Sequence, residues 1–567
     1  MTIAQPHRPL PPLQFWVLLC VVYVLLMTFV KPVTIGGDAS MYADDIAKSL
    51  PHGWSESRGI WNFAHVLWRP MGRLLAKWFL AVLNPSFGGN ATMTIGFLIM
   101  LPNLIAGLVC ALALQVMIWK LTGNGWAGFL VTCAFLCLNP LLHFSRIGSP
   151  YILAMTCATL ASCVAGFLPR TWWTAVLAGA FAATAVLCWA PFLVSFPGVL
   201  CALWIFGAAQ QGMPRLRFAI VTCLAATIVA GAFYLFAMNE AGIHGLSGLV
   251  GWIHESAQDS KDSKLVRMIS GLARSVYELG FDSVWLKWYR FHDPYAKVGL
   301  LELVRESLAR VALFYASLLG LLALLWFSPS GKRVLGFLAV AALPHIGVAL
   351  AYESGSVERY VGLLPALFLA FGYAAGSAEL SAFRRALAVV LCCLHVPFNL
   401  LSASGRNLDV ALQKDPARLE VLTSLAPQDR VFVVNGYDPL SALSFGDPLN
   451  ALHKRKLAIV KAFPPFGLPI RLWNLDFACT VLASSDRGAQ VWVSTRFLAP
   501  APERSWLWVE GDLPGLTWEM MHNYFLSFDT SEQRGGADGF FRVPATSETR
   551  HRLEAQVQAS GQSCPAQ

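Results

Sequence analysis

The sequence predicts an all-α, polytopic membrane domain of about eleven spanning helices over residues 1–402, followed by a small soluble α/β domain over residues 403–567. Three observations lead there. Apolar stretches long enough to span a bilayer recur with polar breaks between them. Of the 567 residues, 56% are hydrophobic and only 13% charged, and mean hydropathy is +0.55; a soluble domain carries about 25% charged residues. After about residue 403 the chain turns polar and rich in turn formers.

The first apolar stretch, 13–30, has the length of a span, and no small-residue cleavage site precedes Lys31 and Pro32, so it reads as an anchor rather than a signal peptide. Further spans are expected at 93–119, 124–142, 151–168, 172–190, 192–208, 218–238, 311–328, 334–352, 360–378 and 386–402. Pro191 and Pro197 are expected to break or kink the short pair in the middle. With the N-terminus in the cytoplasm, Arg8, Lys120, Arg170, Arg215, Arg217, Lys332, Arg333, Arg384 and Arg385 all fall on the inner side. That distribution is what orients a multi-pass protein. The loop 34–92, the loop 239–310 and the tail then face outward, into the periplasm if the membrane is a bacterial inner membrane.

The net charge of +9 does not indicate nucleic acid, because many of the basic residues are dispersed among the short inner loops. Most of the thirteen cysteines lie inside apolar stretches at spacings that match no zinc pattern. Only Cys479 and Cys564 fall in the tail; whether they pair depends on its redox compartment, which the sequence leaves open. Within the outer loops, 70–83 and 265–279 are amphipathic and expected to lie at the membrane interface. In the first of these, Arg69, Arg73 and Lys77 recur four apart, with Leu74, Leu75, Trp78 and Phe79 largely elsewhere. The tail shows β-type runs at 431–434, 457–460 and 491–493 among more helical stretches, hence an α/β unit.

The first outer loop carries the most chemistry. It opens Gly36, Gly37, Asp38 and continues to Asp44 and Asp45, so three carboxylates cluster just beyond the first span. His65, Trp68, Arg69, Pro70 and Arg73 follow and could return basic groups to the same surface. An acid at the interface opposed by cations suits transfer from a lipid-linked phosphate donor. The carboxylate takes a proton from an acceptor hydroxyl, and arginine neutralises the departing phosphate. Each residue also has a plainer reading. Asp38 could end a turn; Asp44 and Asp45 could be a solvated or capping face; His65 could be a hydrogen-bonded loop histidine; the arginines could hold anionic lipid head groups. No phosphate-cradling loop with lysine, no His-Glu-x-x-His helix and no Gly-x-Ser-x-Gly elbow is present.

On these residues the chain resembles the lipid-dependent membrane glycosyltransferases of the GT-C fold, including the protein mannosyltransferase and aminoarabinose transferase relatives. Asp38 matches the acid near the start of their large outer loop. His65 with Trp68, Arg69 and Pro70 is similar to a later histidine and Arg-Pro element, and Glu358, Arg359 and Tyr360 to an Arg-Tyr element near a late helix. The resemblance covers the order of parts over roughly the first 400 residues, through motifs that are each short. The chain departs from the pattern after its third span, where Leu142, His143, Phe144, Ser145 and Arg146 lack the second acid that several relatives carry.

The resemblance implies a glycosyltransferase with a polyprenyl-phosphate sugar donor, membrane lipids as surroundings and an unidentified acceptor. Asp38 is then the expected general base, and Arg69, Arg73 and Arg359 the expected phosphate-binding residues. Asp44, Asp45, His65, Arg146, Glu353, Glu358 and Tyr360 are expected in support, with Arg146 a phosphate contact in place of the missing acid. No metal ligands are indicated, and a divalent-metal requirement stays open. Two rivals share the architecture: a transporter or lipid flippase, and a non-catalytic relative that acts as an assembly partner.

Overall fold

A computed structural model describes residues 9–30, 37–87, 91–207, 211–256, 300–352, 357–405, 420–421, 424–426, 428–434, 459–462, 473–500, 517–536, 539–561 and 564. The membrane domain opens with α1 (Leu13–Phe29). Two helices of the first long loop follow, α2 (Gly37–Ser49) and α3 (Trp68–Leu83). Then come α4 (Ala91–Thr122), α5 (Gly125–Leu136), α6 (Asn139–Phe144), α7 (Tyr151–Phe167), α8 (Trp172–Cys188), α9 (Phe196–Ile205), α10 (Arg215–Glu240) and α11 (Gly245–Ser256). The domain closes with α12 (Leu300–Trp326), α13 (Pro329–Tyr352), α14 (Leu364–Gly376), α15 (Ala382–Cys393) and α16 (His395–Gly405).

All eleven expected spans fall on apolar helices. Five are long and apolar enough to cross a bilayer by length and composition, and six are shorter. Proline explains where the structure cuts an expected span in two. The stretch expected at 124–142 becomes α5 and α6, because Pro140 has no N–H to give an interior turn and sits instead in the first turn of α6. Pro191 and Pro197 act in the same way, separating the 3-10 segment Ala190–Ser195 from α9.

Helix α4 positions this loop. At 32 residues it is about 48 Å long, well beyond the roughly 30 Å hydrocarbon core. Ile95, Leu98 and Ile99 near its N-terminal end are buried against Tyr42, Ile46 and Trp68 of α2 and α3. Gly72 permits the approach: a Cβ there would lie 2.5 Å from Ile46 and 2.6 Å from Ile99. Small residues do the same within the bilayer, where apolar burial no longer drives association and close van der Waals packing does. Ala161 and Ala165 of α7, Ala175, Ala178 and Ala182 of α8 and Ala219 of α10 form one buried seam.

Beyond the membrane domain lies a five-stranded sheet built from β1 (Arg430–Val433), β2 (Ile459–Ala462), β3 (Val491–Ser494), β4 (Gln533–Arg534) and β5 (Phe540–Arg542), in the order β2-β1-β3-β5-β4. The first three are parallel, with Val431 paired to Val460 and Trp492; β5 runs antiparallel to β3 and β4. Helices α17 (Trp473–Asp486), α18 (Trp518–Leu526) and α19 (Ser547–Ala559) supply Phe477, Met521, Phe525 and Leu553 to a core with Phe432, Val493 and Phe541. The expected β runs at 431–434 and 491–493 fall on β1 and β3; of the run at 457–460, residues 459–460 begin β2 and 457–458 lie outside the described residues. Strands β4 and β5 are too short to show a period, and the turn between them uses Gly535 and Gly536 at φ of 82° and 69°. Cys479 and Cys564 form a disulfide.

Candidate active site

The first long loop, between α1 and α4, is held down by its own arginines. Helix α3 is amphipathic as expected, but its two arginines face inward: Arg73 is fully buried and Arg69 nearly so, while Lys77, Leu74, Trp78, Phe79 and Val82 are exposed. That polarity suits a helix lying on lipid, with its apolar face toward the bilayer. The Arg73 guanidinium donates to the backbone carbonyls of His52 and Gly53 and lies 4.3 Å from the centre of the Trp54 ring. Arg69 pairs with Asp45 at 2.8 Å, donates to the Gly59 carbonyl at 2.6 Å and stands 4.8 Å above the Tyr42 ring. Burial pushes the Asp45 pKa upward, and the Arg69 charge opposes it. Asp44 pairs with Lys48 one helical turn away, on the exposed side of α2.

The same loop caps α8. A helix C-terminus leaves its last carbonyls without partners. Here the Leu67 N–H donates to the Leu187 carbonyl at 2.9 Å, and His65 Nδ1 approaches the Cys188 carbonyl at 3.3 Å. Because a carbonyl only accepts, this contact places the ring proton on Nδ1. Burial, reinforced by the charges of Arg69 and Arg359, pushes the His65 pKa down to about 3. The imidazole is therefore neutral at ordinary pH.

Asp38 lies in the first turn of α2, where the helix dipole favours an acid. Its Oδ2 accepts a 2.8 Å hydrogen bond from the hydroxyl of Tyr151, the first residue of α7. The Tyr151 ring meets Trp189 edge-on, with centroids 4.6 Å apart, and the Arg359 guanidinium lies 5.0 Å over the Trp189 ring. Asp38, Glu358 and Arg359 all act electrostatically on Tyr151. Asp38, Arg69 and Arg359 likewise act on Tyr42, whose pKa stands well above its ordinary value through burial and then the Asp38 charge. Four separate parts of the chain thus converge: the first long loop, the start of α7, the end of α8 and the 3-10 segment Val357–Leu363. The chemistry on offer is the Asp38 carboxylate with a phenol that holds it, a second carboxylate, Glu358, whose charge reaches that phenol, and arginines set against aromatic rings.

The remaining candidates sit as follows. Arg146 is buried and donates to the Met27 and Val30 carbonyls, so it caps the C-terminal end of α1. Tyr360 is buried in the main membrane core. Glu353 and the amphipathic segment 265–279 lie outside the described residues. Tyr42, Tyr151 and Trp189 were not singled out from sequence, since a tyrosine or tryptophan at a span's edge is the ordinary aromatic belt. Among the described residues, no group of three or more His, Cys, Asp or Glu could hold a metal ion.

No protein-family model matches the chain, and no curated protein matches it by sequence. Among solved structures it is similar to the apo oligosaccharyltransferase of Archaeoglobus fulgidus, at 14% identity and TM-score 0.39, over 85% of this chain and 69% of that one. It is also similar to the oligosaccharyltransferase AglB from the same organism in complex with an inhibitory peptide and a dolichol-phosphate, at 14% identity and TM-score 0.40, over 86% of this chain and 69% of that one. A third similarity is to ArnT from Cupriavidus metallidurans bound to undecaprenyl phosphate, at 11% identity and TM-score 0.36, over 94% of this chain and 98% of that one. Likenesses this distant carry no weight for function; the chain's own residues carry the reading.

Proposed function

We propose that this membrane protein is a glycosyltransferase that moves a sugar from a polyprenyl-phosphate donor to an acceptor hydroxyl at the outer face of a bacterial inner membrane. The supporting observation is the convergence of Asp38 and Arg359, far apart in sequence, on the aromatic pair of Tyr151 and Trp189. In this reading Asp38 takes the proton of the acceptor hydroxyl as its oxygen bonds to the anomeric carbon. The bond from that carbon to the phosphate oxygen breaks, and polyprenyl phosphate leaves with its negative charge near Arg359 and Arg69. The donor's tail stays in the bilayer, which accounts for a site at the membrane edge. The neutral His65 and the pair of Asp45 with Arg69 shape the loop around it. Arg73 has committed its guanidinium to backbone carbonyls and serves as the loop's clamp. The tail domain would bind or orient the acceptor.

The test is release of polyprenyl phosphate by purified protein given a panel of radiolabelled polyprenyl-linked sugars. Asp38→Asn should lower turnover on the order of 10²-fold or more, the usual worth of a general base, while the protein stays folded and inserted. Undiminished turnover in that variant removes the assignment. Substrate uptake into proteoliposomes without any such release would favour a transporter instead.

A further inference from the structure

We propose that Tyr151 is a positioning residue that holds Oδ2 of the Asp38 carboxylate and so reserves Oδ1 for the acceptor's proton. The inference deepens the transferase reading and rests on it. Tyr151 can do this because everything around it is fixed. Its ring is held between Phe144, at 5.2 Å and nearly perpendicular, and Trp189, and the residue is only 4% exposed. Its hydroxyl donates to Asp38 Oδ2, and among the described residues Oδ1 has no partner.

The backbone that carries Tyr151 is equally constrained. The preceding loop, 145–150, runs through the protein interior, and three buried side chains, one of them its own, tie it to three different elements. Asn103, in the middle of α4, donates to the carbonyls of Ile147 and Ser149 and accepts from the Leu153 N–H in the first turn of α7. Its side-chain amide thus joins this loop to the first turn of α7. The Trp68 indole N–H of α3 donates to the Gly148 carbonyl at 2.8 Å. Arg146, within the loop, donates to the end of α1. A loop tied to α1, α3 and α4 delivers the phenol to one place, and Asp38 of α2 meets it there. The carboxylate's rotation is thereby settled before substrate arrives, which lowers the ordering cost of reaching the reactive geometry. Through Trp189 the same ring also adjoins Arg359, so one side chain sets the base and the cation relative to each other.

Tyr151→Phe removes a single oxygen and leaves the ring clamp intact. We expect kcat to fall on the order of 10²-fold with KM within about twofold of wild type, because orientation and not binding is lost. A second readout needs no turnover. The Asp38 carboxylate stretch, isolated as the infrared difference between wild type and Asp38→Asn, should shift in Tyr151→Phe. An unshifted band, or an active protein whose Tyr151→Phe variant keeps the wild-type kcat, overturns the role of Tyr151. A wild type that releases polyprenyl phosphate from no donor, yet shows the infrared shift, overturns the transferase reading and upholds the Tyr151 contact.

Discussion

His65 is held by the protein before any substrate is considered, because its Nδ1 proton completes the C-terminal end of α8 at Cys188. That arrangement has a consequence for stability. The folded-state pKa, about 3, lies below the ordinary 6.5, so the unfolded chain binds the proton more readily between those values. Stability from this site is therefore full above the ordinary value and is lost as pH falls through it toward the folded one. Replacing His65 with the non-titrating Gln removes that dependence. The gap in melting temperature between wild type and His65→Gln should narrow when pH is lowered from about 7 to about 4. Equal gaps at both pH values would show that His65 is not held neutral in the fold.

The unit that matters most among the elements is α3, whose two arginines pack against the loop and whose apolar side is exposed. From the sequence one could place Arg73 either on a phosphate or on lipid head groups, since the four-residue spacing says that Arg69, Arg73 and Lys77 share a side but not what that side meets. In the structure the guanidinium is shared by two carbonyls and a tryptophan ring. Arg73→Ala should therefore destabilise the protein by about 1.5–3 kcal/mol, the usual worth of hydrogen bonds made by a charged group, and should raise proteolytic nicking in the loop before α3. A variant of unchanged stability with a raised donor KM would return Arg73 to the phosphate.

For the molecule as a whole, the disulfide between Cys479 and Cys564 ties the helix behind β2 to the end of the chain, closing a separation of 85 residues. A loop of that length is worth roughly 4–5 kcal/mol in a chain-entropy account, so Cys479→Ser should sharply lower the unfolding temperature of the tail domain. The bond also reports orientation. If the tail lies on the oxidising side, as the placement of basic residues on the opposite side requires, both thiols should resist alkylation in untreated membranes and react after reduction. Thiols that react without reduction would argue against an outer tail.

How much of this protein could be read from its residues follows from the range of the forces involved. The bilayer requires every backbone polar group to be satisfied within its own segment, so the spans are legible from stretches of about twenty residues, and the β-type runs of the tail are legible from runs of a few residues. Asp38 and Arg69 stand out because carboxylates and cations cluster in one loop, and Arg359 through the Arg-Tyr element of the resemblance. Only the tertiary structure joined Tyr151 to Asp38, set Arg359 on Trp189, and turned Arg73 and Arg146 toward backbone carbonyls. Those contacts depend on how α4, α7 and α8 pack against the first long loop. Packing between segments a hundred residues apart leaves no period or spacing along the chain from which to read it.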